Sequence, residues 1–184
     1  MINQKVLPAI SNYKALEKFI DSELEFCIVL NFPLIQLHRV CKLLNENKKK
    51  CIVHLDLVKG LASNEHGAEF LIDAYRVSGV ISTHPSVIEM AKKKKVIGIQ
   101  RIFIIDSSSL SKSIKIAKRL EPDYIELLPG YAYEVMKEIR KTVDTPLIGG
   151  GLISNKEMVD KCLDGGLVAV TSSVPALWDY HSTN

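Results

Sequence analysis

Pro146-Leu147-Ile148-Gly149-Gly150-Gly151-Leu152-Ile153-Ser154, followed by Gly166-Leu167-Val168-Ala169-Val170-Thr171-Ser172-Ser173, decides the fold. Each segment is a short apolar run that passes into a turn of glycines or hydroxyl residues. A (β/α)8 barrel uses the loops after its last two strands in this way, to hold a phosphate on backbone amides. A side chain in such a turn would block an anion, so Gly150 and Gly151 are expected to offer open N–H groups. Thr171, Ser172 and Ser173 would add hydroxyls and amides at the start of a short final helix containing Pro175. Either turn alone has a bland reading as a tight connection; two on successive units favour the anion.

Outward from this stretch, runs rich in Val, Ile and Leu alternate with amphipathic segments of helical period. Seven strands are clear: Phe26 to Leu30, Cys51 to Leu55, Val80 to Ser82, Ile99 to Ile105, Tyr124 to Leu127, Leu147 to Gly149 and Leu167 to Val170. An eighth, Val6 to Ile10, is weaker because Pro8 cannot donate to a ladder. Most runs are apolar at consecutive positions, as in parallel strands covered on both faces. Pro85 suits a first helical turn, Ser154-x-x-Glu157 reads as a capping box, and Gly165 stands where a C-terminal cap belongs. These signs predict a compact α/β fold, a TIM-type (β/α)8 barrel, irregular or seven-stranded at its N-terminal end. An open doubly wound sheet is the runner-up, and it would not need near-equal units.

The 184 residues, 47% of them hydrophobic, suffice for one sizeable core, so residues 1–184 are read as a single domain. No long apolar run suggests a membrane span and Met1-Ile2-Asn3-Gln4-Lys5 lacks the plan of a signal peptide, which points to a cytoplasmic protein. Cys27, Cys41, Cys51 and Cys162 show no C-x-x-C spacing, so buried thiols are expected and no metal site. A net charge of +3 does not by itself announce nucleic-acid binding.

In a barrel the C-terminal ends of the strands carry function. His54, Asp56, Lys59, Asp106 and Glu126 fall there, with Asn31 after the second strand. Gln100 and Arg101 occupy the middle of an apolar strand, where an unpaired guanidinium would be costly, so Arg101 should find a carboxylate, with Glu126 the candidate. That pair reads as structural. Basic residues gather elsewhere, at Lys48 to Lys50, at Lys92, Lys93, Lys94 and Lys95, at Lys115, Lys118 and Arg119, and at Lys137, Arg140 and Lys141. Placed at helix ends before strands, they complement helix dipoles or, together, form a footprint for a polyanion on the opposite barrel face. Leu177-Trp178 reads as apolar surface over the barrel bottom or a subunit partner.

Six segments together resemble the glycerol-3-phosphate-responsive antiterminators, regulators of bacterial glycerol uptake operons. They are His54-Leu-Asp-Leu-Val-Lys-Gly-Leu61, Gly79-Val-Ile-Ser-Thr83, Ile99-Gln-Arg-Ile-Phe-Ile-Ile-Asp106, Pro122-Asp-Tyr-Ile-Glu-Leu-Leu-Pro-Gly130, Gly149-Gly-Gly-Leu-Ile153 and Ala169-Val-Thr-Ser-Ser173. The similarity runs from about Val6 to Trp178. His84 departs from the Arg or Lys expected there, and Val170-Thr-Ser-Ser173 varies a Ser-Thr-Ser theme.

The resemblance implies a regulator without catalysis or cofactor. Its effector would be glycerol 3-phosphate and its partner the leader mRNA of glycerol-metabolism genes, which it would stabilise while preventing termination. On this chain Gly150, Gly151, Ser172 and Ser173 would grip the phosphate, and Asp56, Lys59 and Glu126 would serve the glycerol moiety. Lys92 to Lys95 are the RNA-binding candidates. The alternative is a barrel isomerase or lyase acting on a small phosphorylated metabolite, with Asp56, Asp106 or Glu126 as acid and base. A metabolite sensor answering to a protein partner is the third reading, and the oligomeric state stays open.

Overall fold

The computed structural model describes residues 1–180. Eight parallel strands close into a barrel in chain order: β1 (Val6–Ile10), β2 (Phe26–Val29), β3 (Lys50–His54), β4 (Gly79–Ser82), β5 (Ile97–Phe103), β6 (Tyr124–Leu128), β7 (Leu147–Gly149) and β8 (Ala169–Ser172). Seven α-helices separate them among the described residues: α1 (Tyr13–Ile20), α2 (Leu34–Glu46), α3 (Glu65–Tyr75), α4 (Pro85–Lys94), α5 (Ser107–Leu120), α6 (Tyr133–Arg140) and α7 (Lys156–Asp164). Closure between β1 and β8, with Val6, Leu7 and Pro8 opposite Val170, Thr171 and Ser172, excludes the open sheet. Pro8 pairs in register with Ser172, and bonds at either end of β1 hold the strand: Val170 N–H donates to Lys5 O at 2.9 Å and Leu30 N–H to Ile10 O at 2.8 Å.

Two apolar layers hold the barrel. Leu7, Ile28, Ile52, Ile81, Ile99 and Ile148 fill the interior, while Leu16, Phe19, Leu37, Leu71 and Ile88 pack in the layer between strands and helices. Side chains alternate along a strand, so the residue two places after each interior one also points inward, nearer the strand's C-terminal end. With Tyr124 and Ala169 of the same interior cluster included, that rule gives Ala9, Leu30, His54, Thr83, Arg101, Glu126, Gly150 and Thr171. A polar layer therefore sits on an apolar one, at the barrel mouth.

Two expectations at the C-terminal end are corrected. The N-cap of α7 is Asn155, not Ser154: its side chain accepts from Met158 N–H at 3.0 Å, because an amide oxygen caps as well as a hydroxyl. Asn155→Ala should cost about 1 kcal/mol in chemical denaturation and Ser154→Ala much less; equal losses would restore the earlier cap. Leu177 and Trp178 are buried, and Trp178 Nε1–H donates to Ser172 O at 3.0 Å. They pack within the chain and lock the last turn onto β8. Gly165 caps α7 as expected, with the left-handed φ of +93° falling on Gly166.

Candidate functional site

A cavity of about 320 Å³ opens at the mouth beside β7 and β8. The loop Gly151 to Ser154 forms one wall and Thr171 to Val174 the other, with Ala9, Leu30, Arg101 and Leu128 completing it. The N–H groups of Gly151, Leu152 and Ser173 make no hydrogen bond within the described residues. Gly151 and Leu152 both adopt left-handed backbone, at φ +75° and +59°. Glycine accepts that freely, whereas leucine pays for it, and such strain gathers at binding loops. Ser173 is exposed at the cavity edge.

Gly150 and Ser172 do different work from that expected. Gly150 N–H is spent on Leu127 O at 2.9 Å, and its carbonyl accepts from Gly130 N–H at 2.6 Å. Its lack of a side chain serves a close approach: a Cβ would lie 2.6 Å from Glu126 Oε1 and 2.9 Å from Thr171 Oγ1. Gly150→Ala should therefore cost about 1–3 kcal/mol by overpacking, seen as a lower urea midpoint; an unchanged midpoint would show that the Glu126 carboxylate is free to move. The Ser172 hydroxyl donates to Ile153 O at 2.7 Å and accepts from Val174 N–H at 3.2 Å. It laces the two turns together and has no proton left for an anion.

Beneath the cavity lies an ion pair. Arg101 and Glu126 are register partners on β5 and β6. Arg101 Nε and Nη2 each lie 2.7 Å from Glu126 Oε2, while Thr171 Oγ1 donates to Oε1 at 3.0 Å. Glu126 is fully buried; Arg101 lines the cavity, and its Nη1 has no partner among the described residues. A guanidinium positioned in this way combines full charge with free donors, the pairing that suits a phosphate. Arg101 is the functional candidate that sequence reasoning set aside as structural. The signal was present in its position, two residues past an interior isoleucine.

The remaining candidates scatter. Asp56 accepts from Ser82 Oγ, Thr83 N–H and Thr83 Oγ1, the last two at 2.8 Å. Burial pushes its carboxyl up, but these three bonds and the nearby His54 outweigh it and hold the pKa below the usual value. Asp56 thus ties β3 to β4. Lys59 is exposed in the following turn and lines no part of the cavity. His54, in the same mouth layer, is 2% exposed with both ring nitrogens unpartnered. Burial and then the Arg101 charge lower its pKa to about 4, against an opposing pull from Asp56.

The lysine run ends α4 on the opposite face, and two of its four members are engaged. Lys92 Nζ donates to Leu120 O at 2.7 Å, and Lys94 Nζ bridges Glu69 at 2.9 Å and Asp73 at 2.6 Å. Lys95 supplies the left-handed C-cap, and with Lys93 it stays exposed. Among the described residues no helix is long and apolar enough to cross a membrane, and no cluster of three His, Cys, Asp or Glu could hold a metal. All four cysteines are buried and free.

Comparison with known proteins places this site in context. The glycerol-3-phosphate responsive antiterminator model matches residues 6–178. A glycerol uptake operon antiterminator regulatory protein from Listeria monocytogenes superimposes with a TM-score of 0.92 at 36% identity, over 97% of each chain. A related protein from Thermotoga maritima gives a TM-score of 0.84 at 24% identity, covering 96% of this chain and 99% of its own, and supports the fold alone. An uncharacterized Escherichia coli protein, YgcP, is 30% identical over 173 residues, 94% of this chain and 91% of its own. The mouth cavity with its paired turns is thus set in a chain that belongs to the glycerol-3-phosphate responsive antiterminator family.

Proposed function

We propose that this chain is a cytoplasmic transcription antiterminator that takes glycerol 3-phosphate into the mouth cavity. It then binds the leader mRNA of glycerol-metabolism genes, preventing termination and stabilising the transcript. The observation that carries the proposal is the cavity itself, where the unengaged amides of Gly151, Leu152 and Ser173 sit with the Arg101 guanidinium. Phosphate on those amides and that cation leaves the glycerol hydroxyls near Thr171. Gly150, Ser172 and Glu126 hold the site from beneath, while Asp56 braces β3 against β4 and Lys59 stands outside the cavity. A barrel isomerase or lyase is less favoured, because three hydrogen bonds hold Asp56, two hydrogen bonds and an ion-pair contact hold Glu126, and Asp106 caps α5, so none is poised as a free base.

For regulation, the effector must bind the RNA-competent state more tightly than the other. Gel shift of leader RNA is expected to require glycerol 3-phosphate; RNA binding indifferent to the effector would contradict the sensor role. Of the lysine run, Lys93 and Lys95 are the members open to RNA. Neutralising both should reduce the slope of log affinity against log salt by about 0.7–0.9 per lysine. An unchanged slope would leave the run as a helix cap.

A further inference from the structure

A second cavity of about 210 Å³ lies against the outer side of β5, between its C-terminal end and α5. Gln100, Phe103, Ile105, Ser109, Ser113 and Ile116 form most of its wall. Arg101 borders it as well, and its neutral side-chain donors are already used. Gln100 Nε2 donates to Thr83 O at 3.0 Å and Arg101 O at 3.2 Å, the Ser109 hydroxyl to Asp106 O at 3.1 Å, and the Ser113 hydroxyl to Ser109 O at 2.9 Å. What remains are acceptors, above all Gln100 Oε1, which is buried and has no partner. An unsatisfied buried carbonyl is costly, so this one marks a place for an incoming N–H.

The rest of the wall defines the molecule that brings it. Phe103, Ile105 and Ile116 are large apolar residues left 47%, 78% and 38% exposed. The volume is below that of ordinary drug-sized sites and suits one small flat group. A planar ring against an aromatic face, with an amino group reaching a side-chain carbonyl, is how single-stranded RNA bases are held. We propose that this cavity receives one unpaired adenine of the bound RNA, its amino group on Gln100 Oε1 and its ring against Phe103. The proposal rests on the RNA-binding role given above. It also joins output to input, because Arg101 lends its carbonyl to Gln100 while its side chain lines the effector cavity.

The test is fluorescence anisotropy of the full chain, with glycerol 3-phosphate present, against a short labelled oligoadenylate and the same oligomer built from purine riboside, which lacks the amino group. Oligoadenylate should bind about tenfold more tightly. Phe103→Ala, at an exposed position, should weaken it by about tenfold, and Gln100→Leu should erase the preference between oligomers. Equal binding of the two oligomers by the wild-type chain, or no binding of either, would overturn the proposal. So would leader RNA affinity indifferent to Phe103→Ala, which would assign the cavity to a protein partner. A chain that shifts leader RNA yet treats the oligomers alike rejects the adenine pocket and keeps the regulator. A chain that distinguishes the oligomers but never shifts leader RNA does the reverse.

Discussion

Replacing Glu126 with alanine is expected to lower stability by about 3–5 kcal/mol, enough to abolish much of the margin of a small domain. The carboxylate is fully buried and anchors three donors: Arg101 Nε, Arg101 Nη2 and Thr171 Oγ1. Its removal strands a guanidinium that is only 11% exposed, leaves the Thr171 hydroxyl without its acceptor, and opens space beside Gly150. The cost comes from breaking the pair and says little about what the pair adds over an apolar one. Replacing both partners, Arg101→Met with Glu126→Leu, should therefore recover most of the loss while abolishing anion binding. Urea denaturation of the single and double variants checks this. A single-variant loss below about 1 kcal/mol would mean that Arg101 finds solvent or another partner without cost.

Acid should destabilise the protein well before its carboxylates protonate, because His54 is held neutral. In the folded chain its pKa is lowered from 6.5 to about 4, first by burial and then by Arg101, with Asp56 opposing. Between those values the unfolded chain binds the proton and the folded chain does not, so stability falls as pH drops from 6.5 toward about 4. Above this window the penalty is absent; below it the penalty is complete. At 1.36 kcal/mol per pKa unit, the full loss is about 3 kcal/mol. Asp56, whose pKa is also lowered, extends the loss to more acid conditions. His54→Gln should flatten the decline across the window, as read from urea midpoints at a series of pH values. An equally steep wild-type and variant profile would place the titrating group elsewhere.

The alternation of apolar runs and helices was enough to read the barrel, since both faces of each parallel strand are covered and carry Val, Ile and Leu. Strand ends were less legible. The last strand was expected at Leu167 to Val170 and lies at Ala169–Ser172, because pairing with β1 and β7 sets it, not the apolar run. The two turns were visible as turns, but their division of labour was not. Gly150 looked open to an anion and is instead closed by Leu127 and crowded by Glu126, a residue twenty-four positions earlier in sequence and next to it only once the barrel closes. Lys92 and Lys94 looked like part of a free basic run, yet their partners on α3 and near the end of α5 are distant in sequence. Nothing local marks Leu152 as left-handed or His54 as unpartnered; both follow from the assembled mouth.

The coupling between the mouth cavity and RNA is tested most directly by calorimetric titration of glycerol 3-phosphate into the protein, alone and saturated with leader RNA. Linkage requires that if the effector tightens RNA binding, RNA tightens effector binding by the same factor. Tighter glycerol 3-phosphate binding in the presence of RNA, with both titrations abolished in the Arg101→Met, Glu126→Leu protein, is the predicted result. Identical affinities with and without RNA would contradict the account.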